Sequence, residues 1–214
     1  GFDVATSVAS IVTVSNVAAV AAGTTVALTK TTDTLTGGAG ADTYNAVLTG
    51  AGASGTTAAP GDSISGGAGI DTVSLSVAGA AGGAYTLSAV QTTDVERFLL
   101  TNFETDGTAD GTVVDTSLMT GLTTVGLASS SATGDTHFTN LKNLVDAEMK
   151  NGAADLNLTY TAAVVAGTAD AQKLTVSGAT GKFTSASTEA ITIHSALVKS
   201  TLTDVVIAQG TSLT

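Results

Sequence analysis

Two glycine clusters and four aspartates recur in this chain at one spacing, and they are the residues able to do chemistry. Gly37-Gly38-Ala39-Gly40-Ala41-Asp42-Thr43-Tyr44 returns 29 residues later as Gly66-Gly67-Ala68-Gly69-Ile70-Asp71-Thr72-Val73, and Asp33-Thr34-Leu35-Thr36 returns as Asp62-Ser63-Ile64-Ser65. Glycine has no Cβ and reaches positive φ, so a Gly-Gly-x-Gly turn can curl its carbonyl oxygens toward one point. The aspartate that follows adds a full negative charge, and such a point suits a hard cation. The large apolar residue two places further on, Tyr44 or Val73, starts a short strand whose side chain points into the body of a coil.

Both copies fit the nonapeptide Gly-Gly-x-Gly-x-Asp-x-(large apolar)-x, and the chain therefore resembles the RTX calcium-binding proteins. The resemblance implies calcium as the ion, with Gly37, Gly38, Gly40 and Asp42 meeting Gly66, Gly67, Gly69 and Asp71 across it. Asp33 and Asp62 lack a Gly-Gly turn before them and are assigned to a neighbouring site on the other edge.

The elements that must position these residues follow from the duplication. Two turns of a parallel β-roll place strand 34–36 on 63–65 and strand 43–48 on 72–77, with the small-residue stretch from Ala46 to Gly61, which holds the only proline, as a loop. The composition agrees. Among 214 residues there are 40 threonines, 25 glycines, no cysteine and no tryptophan. Threonine is β-branched and suits strand surfaces, while Glu, Lys, Gln and Arg are scarce, so β structure dominates. A hydrophobic content of 43% with only 4% aromatic residues predicts a thin core of Val, Leu, Ile and Ala inside a solenoid. The fold expected is an all-β, right-handed parallel β-roll or β-helix with calcium-binding turns.

Three zones divide the chain. Residues 1–32 alternate apolar and small polar residues, as in Ile11-Val12-Thr13-Val14 and Thr25-Val26-Ala27-Leu28, and form a strand-rich entry. Residues 33–77 are the two calcium turns. Residues 78–214 continue the same solenoid as β-helix rungs at Phe98–Leu100, Thr124–Leu127, Asp155–Leu158, Leu174–Val176, Ala190–Ile193 and Val205–Ile207, with later intervals of about 15 to 19 residues read as single coils. Asn140–Lys150 is open to two readings, a short helix on the spacing of Leu141, Leu144, Val145 and Glu148, or another rung.

Within this third zone, Thr93-Asp94-Val95-Glu96-Arg97-Phe98-Leu99-Leu100-Thr101 and Asp115-Thr116-Ser117-Leu118-Met119-Thr120-Gly121-Leu122-Thr123-Thr124-Val125 are similar to the rungs that follow the calcium roll in large proteobacterial surface-layer proteins. That resemblance implies a structural cell-surface protein, exported by a type I system and assembled with calcium into an extracellular lattice of its own copies. The secretion signal usual at the C-terminus of that family is not evident at Gln209–Thr214, and position 1 is glycine, so a fragment is expected.

A net charge of −11 with seven scattered basic residues argues against nucleic acid as a partner. No run of about 20 apolar residues is present to span a membrane. Absence of cysteine fits either a cytosolic protein or a secreted one that never relies on disulfides, and by itself places neither. Calcium sites of low affinity fill only where the ion is abundant, at about 10⁻⁴–10⁻³ M, which places the chain outside the cell.

An enzymatic reading has little to rest on. His137 and His194 are the only bases near neutrality, Ser195 beside His194 points to the opposite face of a strand, and no Gly-x-Ser-x-Gly or His-Glu-x-x-His occurs. Glu96, Glu104, Asp106 and Asp110 read as a solvated acidic loop or a further calcium site, and Thr133-Gly134-Asp135-Thr136 reads the same way. The calcium-bridged acidic loop Glu104–Asp110 is expected to join copies. Two alternatives to a lattice protein are an RTX adhesin module that binds polysaccharide or ice through a flat threonine face, and the non-catalytic C-terminal part of a secreted hydrolase.

Overall fold

The computed structural model describes residues 21–50, 55–79, 85–104, 111–186, 188–207 and 212–213. Ile11–Val14, Asp106 and Asp110 lie outside them. Among the described residues the chain is a β-solenoid with no helix, and every strand pairing is parallel.

The strands in chain order are β1 (Thr25–Ala27), β2 (Thr34–Thr36), β3 (Thr43–Thr49), β4 (Ser63–Ser65), β5 (Thr72–Gly79), β6 (Tyr85–Leu87), β7 (Gln91–Thr93), β8 (Arg97–Glu104), β9 (Thr112–Asp115), β10 (Thr124–Ala128), β11 (Thr136–Leu141), β12 (Asp146–Lys150), β13 (Leu156–Tyr160), β14 (Ala171–Ser177), β15 (Phe183–Ser185), β16 (Ala190–Ser195), β17 (Val205–Ile207) and β18 (Ser212–Leu213). They form a nine-stranded sheet β1-β3-β5-β8-β10-β12-β14-β16-β18, a six-stranded sheet β17-β15-β13-β11-β9-β6 and a three-stranded sheet β2-β4-β7.

The duplicated turns stack as the sequence predicts. Thr34, Leu35 and Thr36 face Ser63, Ile64 and Ser65, and Thr43 through Thr49 face Thr72 through Ala78. The strand outlasts the expected loop boundary. Ala46 and Leu48 are buried, because the inward alternation begun at Tyr44 continues to the end of β3. Loop structure starts only after Thr49.

Inward positions of the long sheet line up in columns. Tyr44, Val73, Phe98, Val125, Ala147 and Leu174 are register partners in succession, and so are Ala46, Leu75, Leu100, Leu127, Met149 and Val176. All twelve are nearly or wholly buried. Phe98 meets Phe138 of the six-stranded sheet edge to face, ring centroids 5.8 Å apart, which ties the two walls together.

Two sequence expectations are corrected here. Asp146–Lys150 is strand β12, so the helical reading of Asn140–Lys150 gives way to the rung. Ala147 and Met149 point inward with Asp146, Glu148 and Lys150 outside, a period of two, and Asn140 has a positive φ of 58° that breaks any helix. Intervals of 15 to 19 residues between later strands are not coils, since successive strands fall on different sheets: Leu156 pairs into the six-stranded sheet and Leu174 into the long one. A full coil there runs from Ala147 to Leu174.

A candidate cation-binding corner

The first eight strands of the long sheet are each preceded by one residue at the corner where the chain enters the sheet. In chain order these residues are Thr24, Asp42, Asp71, Glu96, Thr123, Val145, Asp170 and Glu189. The acidic ones form a ladder in which a carboxylate accepts the backbone N–H of the corner residue one coil earlier. Thr24 N donates to Asp42 Oδ1 at 2.6 Å, Asp42 N to Asp71 Oδ1 at 2.6 Å, Asp71 N to Glu96 Oε2 at 2.7 Å and Asp170 N to Glu189 Oε2 at 2.8 Å. These N–H groups need a partner; at Thr123 and Glu189 a backbone carbonyl serves, Glu96 O and Asp170 O respectively, whereas at these four corners a carboxylate does.

The glycine loops lie one on the other, with Gly37 N donating to Ser65 O and Ala68 N to Gly38 O. A Cβ on Gly37 would strike the Gly66 carbonyl oxygen, the Tyr44 hydroxyl and Asp42 Oδ2, and a Cβ on Gly66 would strike the Asp94 carbonyl oxygen and Asp71 Oδ2. Glycine at these two positions lets the coils close and gathers oxygens at one place in each corner. Gly40 packs on Ala21 and Ala22 of the preceding coil, Gly67 and Gly69 have φ of 96° and 136°, and Gly38 faces open space.

The two motif aspartates are both buried but differently satisfied. Asp42 takes the Thr24 N–H and hydroxyl on Oδ1 and the Gly38 N–H on Oδ2. The Thr24 hydroxyl above all, helped by the Gly38 and Thr24 amides, holds its carboxyl below the usual carboxylate range. Asp71 is 0% exposed, and while its Oδ1 takes the Asp42 N–H, its Oδ2 has no hydrogen-bond partner.

Asp33 and Asp62 occupy a different corner, at the entry to the three-stranded sheet. Asp62 Oδ1 accepts the Asp33 N–H at 2.9 Å and its Oδ2 the Ala59 N–H at 2.7 Å, while the Asp33 carboxylate takes the Thr29 amide and hydroxyl. Every oxygen in this pair meets a donor, so no buried acceptor is left over there.

The remaining acidic candidates separate. Glu104 is 0% exposed, inside the solenoid, where its Oε2 accepts from Thr112 Oγ1 at 3.1 Å and its amide donates to Asn102 Oδ1. It is therefore part of an interior polar network, not of a solvated surface loop, because β8 extends to it and turns it inward. Asp135 accepts the Asp155 N–H at the entry to the six-stranded sheet, and burial pushes its carboxyl up. His137 lies on the six-stranded sheet and His194 on the nine-stranded one.

Sequence reasoning did not single out Thr24 or Asp94, and it placed Glu96 in an acidic loop. A signal was present: Glu96 stands immediately before strand residues Arg97-Phe98, as Asp71 stands before Thr72-Val73.

Among the described residues no group of three or more His, Cys, Asp or Glu side chains converges as a metal site. A cation at the glycine corner would draw on carbonyl oxygens together with carboxylates, a donor set that suits calcium. Asp71 Oδ2, buried and unpaired, fits such an ion. The chain matches no known family, no curated protein and no solved structure.

Proposed function

We propose that this chain is a calcium-stabilised structural segment of an RTX-type surface-layer protein, located outside the cell and packed there against copies of itself. The observation that carries the reading is the pair of buried aspartates Asp42 and Asp71 on stacked glycine loops, continued by half-buried Glu96, with one carboxylate oxygen of Asp71 left unpaired. A buried acceptor without a partner is destabilising, and stacked carboxylates repel. Calcium, when bound, supplies the positive charge that offsets both. Asp42 and Asp71, with carbonyls of Gly37, Gly38, Gly40, Gly66, Gly67 and Gly69, are the residues to hold it, and the engaged carboxylates of Asp33 and Asp62 leave that pair a minor role.

Electron microscopy of the purified chain with and without calcium tests the reading. Ordered sheets that appear with calcium and dissolve on chelation are the expected result. Single rods at every calcium concentration would remove the lattice role.

A polysaccharide-binding module is the second reading, favoured by one observation. On the outer face of the three-stranded sheet, Thr36, Ser65 and Thr93 are register partners, giving a column of hydroxyls. Retention of the chain on cell-surface polysaccharide, lost in a Thr36→Val/Thr93→Val variant, would support it.

A further inference from the structure

The third coil passes the corner without a glycine motif. Asp94-Val95-Glu96 joins β7 to β8, where Gly66 through Asp71 joins β4 to β5 one coil earlier. The shorter connection still lies close against the second glycine loop: Gly66 N donates to Thr93 O at 2.8 Å, and the Asp94 carbonyl oxygen stands beside Gly66 together with Asp71 Oδ2.

The first and second corners differ in what reaches the aspartate. At the first, the Gly38 amide fills Asp42 Oδ2, and the Tyr44 hydroxyl lies at the same place. At the second, Asp71 Oδ2 receives no amide, and Val73, which has no hydroxyl, is the register partner of Tyr44. Asp71 is 0% exposed, so bulk solvent does not reach it. On the other side stands Glu96, whose Oε2 is anchored by the Asp71 N–H at 2.7 Å. An unpaired buried carboxylate oxygen and a carbonyl oxygen therefore lie beside Gly66 between coils two and three, and a second, half-buried carboxylate is held on the amide of the same Asp71; among the described residues neither carboxylate is in an ion pair.

We propose a cation site between the second glycine loop and the third coil, in which Asp71 Oδ2, the Asp94 carbonyl oxygen and the Glu96 carboxylate bind a calcium ion. The inference rests on the calcium reading of this corner and changes its ligand set. Glu96, outside both glycine repeats, supplies a charge that the motif alone does not predict.

Calorimetric titration of the chain with calcium chloride, with magnesium chloride in parallel, tests it. Glu96→Gln keeps an oxygen to accept the Asp71 N–H and removes only the charge, so the fold, checked by circular dichroism, is retained. The tightest calcium binding is expected to weaken by about tenfold or more, since affinity follows the ligand charge count. Asp204→Asn, at an exposed carboxylate before β17 and away from this corner, removes the same charge elsewhere, so its isotherm should match the wild type. A Glu96→Gln isotherm identical to wild type, with binding lost instead in Asp42→Asn, would place the ion between the two glycine loops and overturn this site while leaving the calcium reading intact. An Asp204→Asn variant weakened as much as Glu96→Gln would make the effect one of overall charge and overturn it as well. A wild-type chain that binds no calcium overturns both.

Discussion

Whether a corner residue tolerates change depends on what its neighbours in the adjacent coil present to it. Gly37 and Gly38 are adjacent in sequence and opposite in consequence, and Gly66, one coil later, is as crowded as Gly37. Gly66→Ala forces a Cβ into the Asp94 carbonyl and Asp71 Oδ2, whereas Gly38→Ala meets nothing within 4 Å. Thermal melts should find Gly66→Ala destabilised by about 3 kcal/mol or more and Gly38→Ala within about 0.5 kcal/mol of wild type. Asp42 sets a second prediction. Its folded-state pKa lies below the unfolded one, so its ionised form contributes stability that is complete above the unfolded value and is lost as pH falls through the folded one, in the range below about 4. Thr24→Val removes the largest cause of that shift, and its acid unfolding, followed by circular dichroism, should begin at higher pH than that of the wild type. Asp135 has the opposite sign: burial raises its pKa, so it favours the fold when protonated and opposes it once pH rises above its folded value.

Strands in this chain are short, and what holds them is the inward column each one joins. Phe98 sits at the centre of such a column, 0% exposed, with Val73 and Val125 as register partners and Phe138 across the interior. Phe98→Ala should lower stability by about 3–5 kcal/mol, measured by denaturant unfolding, because the walls around it are closed sheets that cannot collapse into the space. The outer face is organised differently. Arg97 and Glu148 pair at 2.8 Å over β10, where Gly126 has no side chain to stand between them. This pair is partly exposed and contributes little to stability.

At the scale of the molecule, charge and stacking act together. The chain carries a net charge of −11, and its carboxylates are repeated from coil to coil at strand spacing, about 5 Å. Ion binding to the folded state alone stabilises by RT ln(1 + [L]/Kd), about 2.7 kcal/mol at a hundredfold excess over Kd. Chelator should therefore lower the melting temperature by about 5–10 °C relative to calcium-saturated protein. An unchanged melting temperature would show that calcium has no structural role. A divalent cation screens repulsion between like-charged copies, so on the proposed assembly light scattering across a calcium titration should rise beyond the change that accompanies folding.

The sequence by itself determined the stacking of the duplicated turns, since two copies of one loop-and-strand unit bury their apolar residues only by lying in register, Leu35 on Ile64 and Tyr44 on Val73. It also determined the all-β character, through its threonines and scarce helix formers. Tertiary structure alone decided which carboxylates remain unsatisfied. Asp42 and Asp71 are equivalent in the motif, yet one is saturated by Thr24 and Gly38 while the other keeps a bare oxygen. That outcome depends on which coil lies next, and Glu96 reaches Asp71 from 25 residues away. The same holds for Glu104 and for β12, whose residues are polar enough to look like surface or helix in isolation. Their positions follow from the register of neighbouring coils, a relation between distant residues that local pattern does not contain.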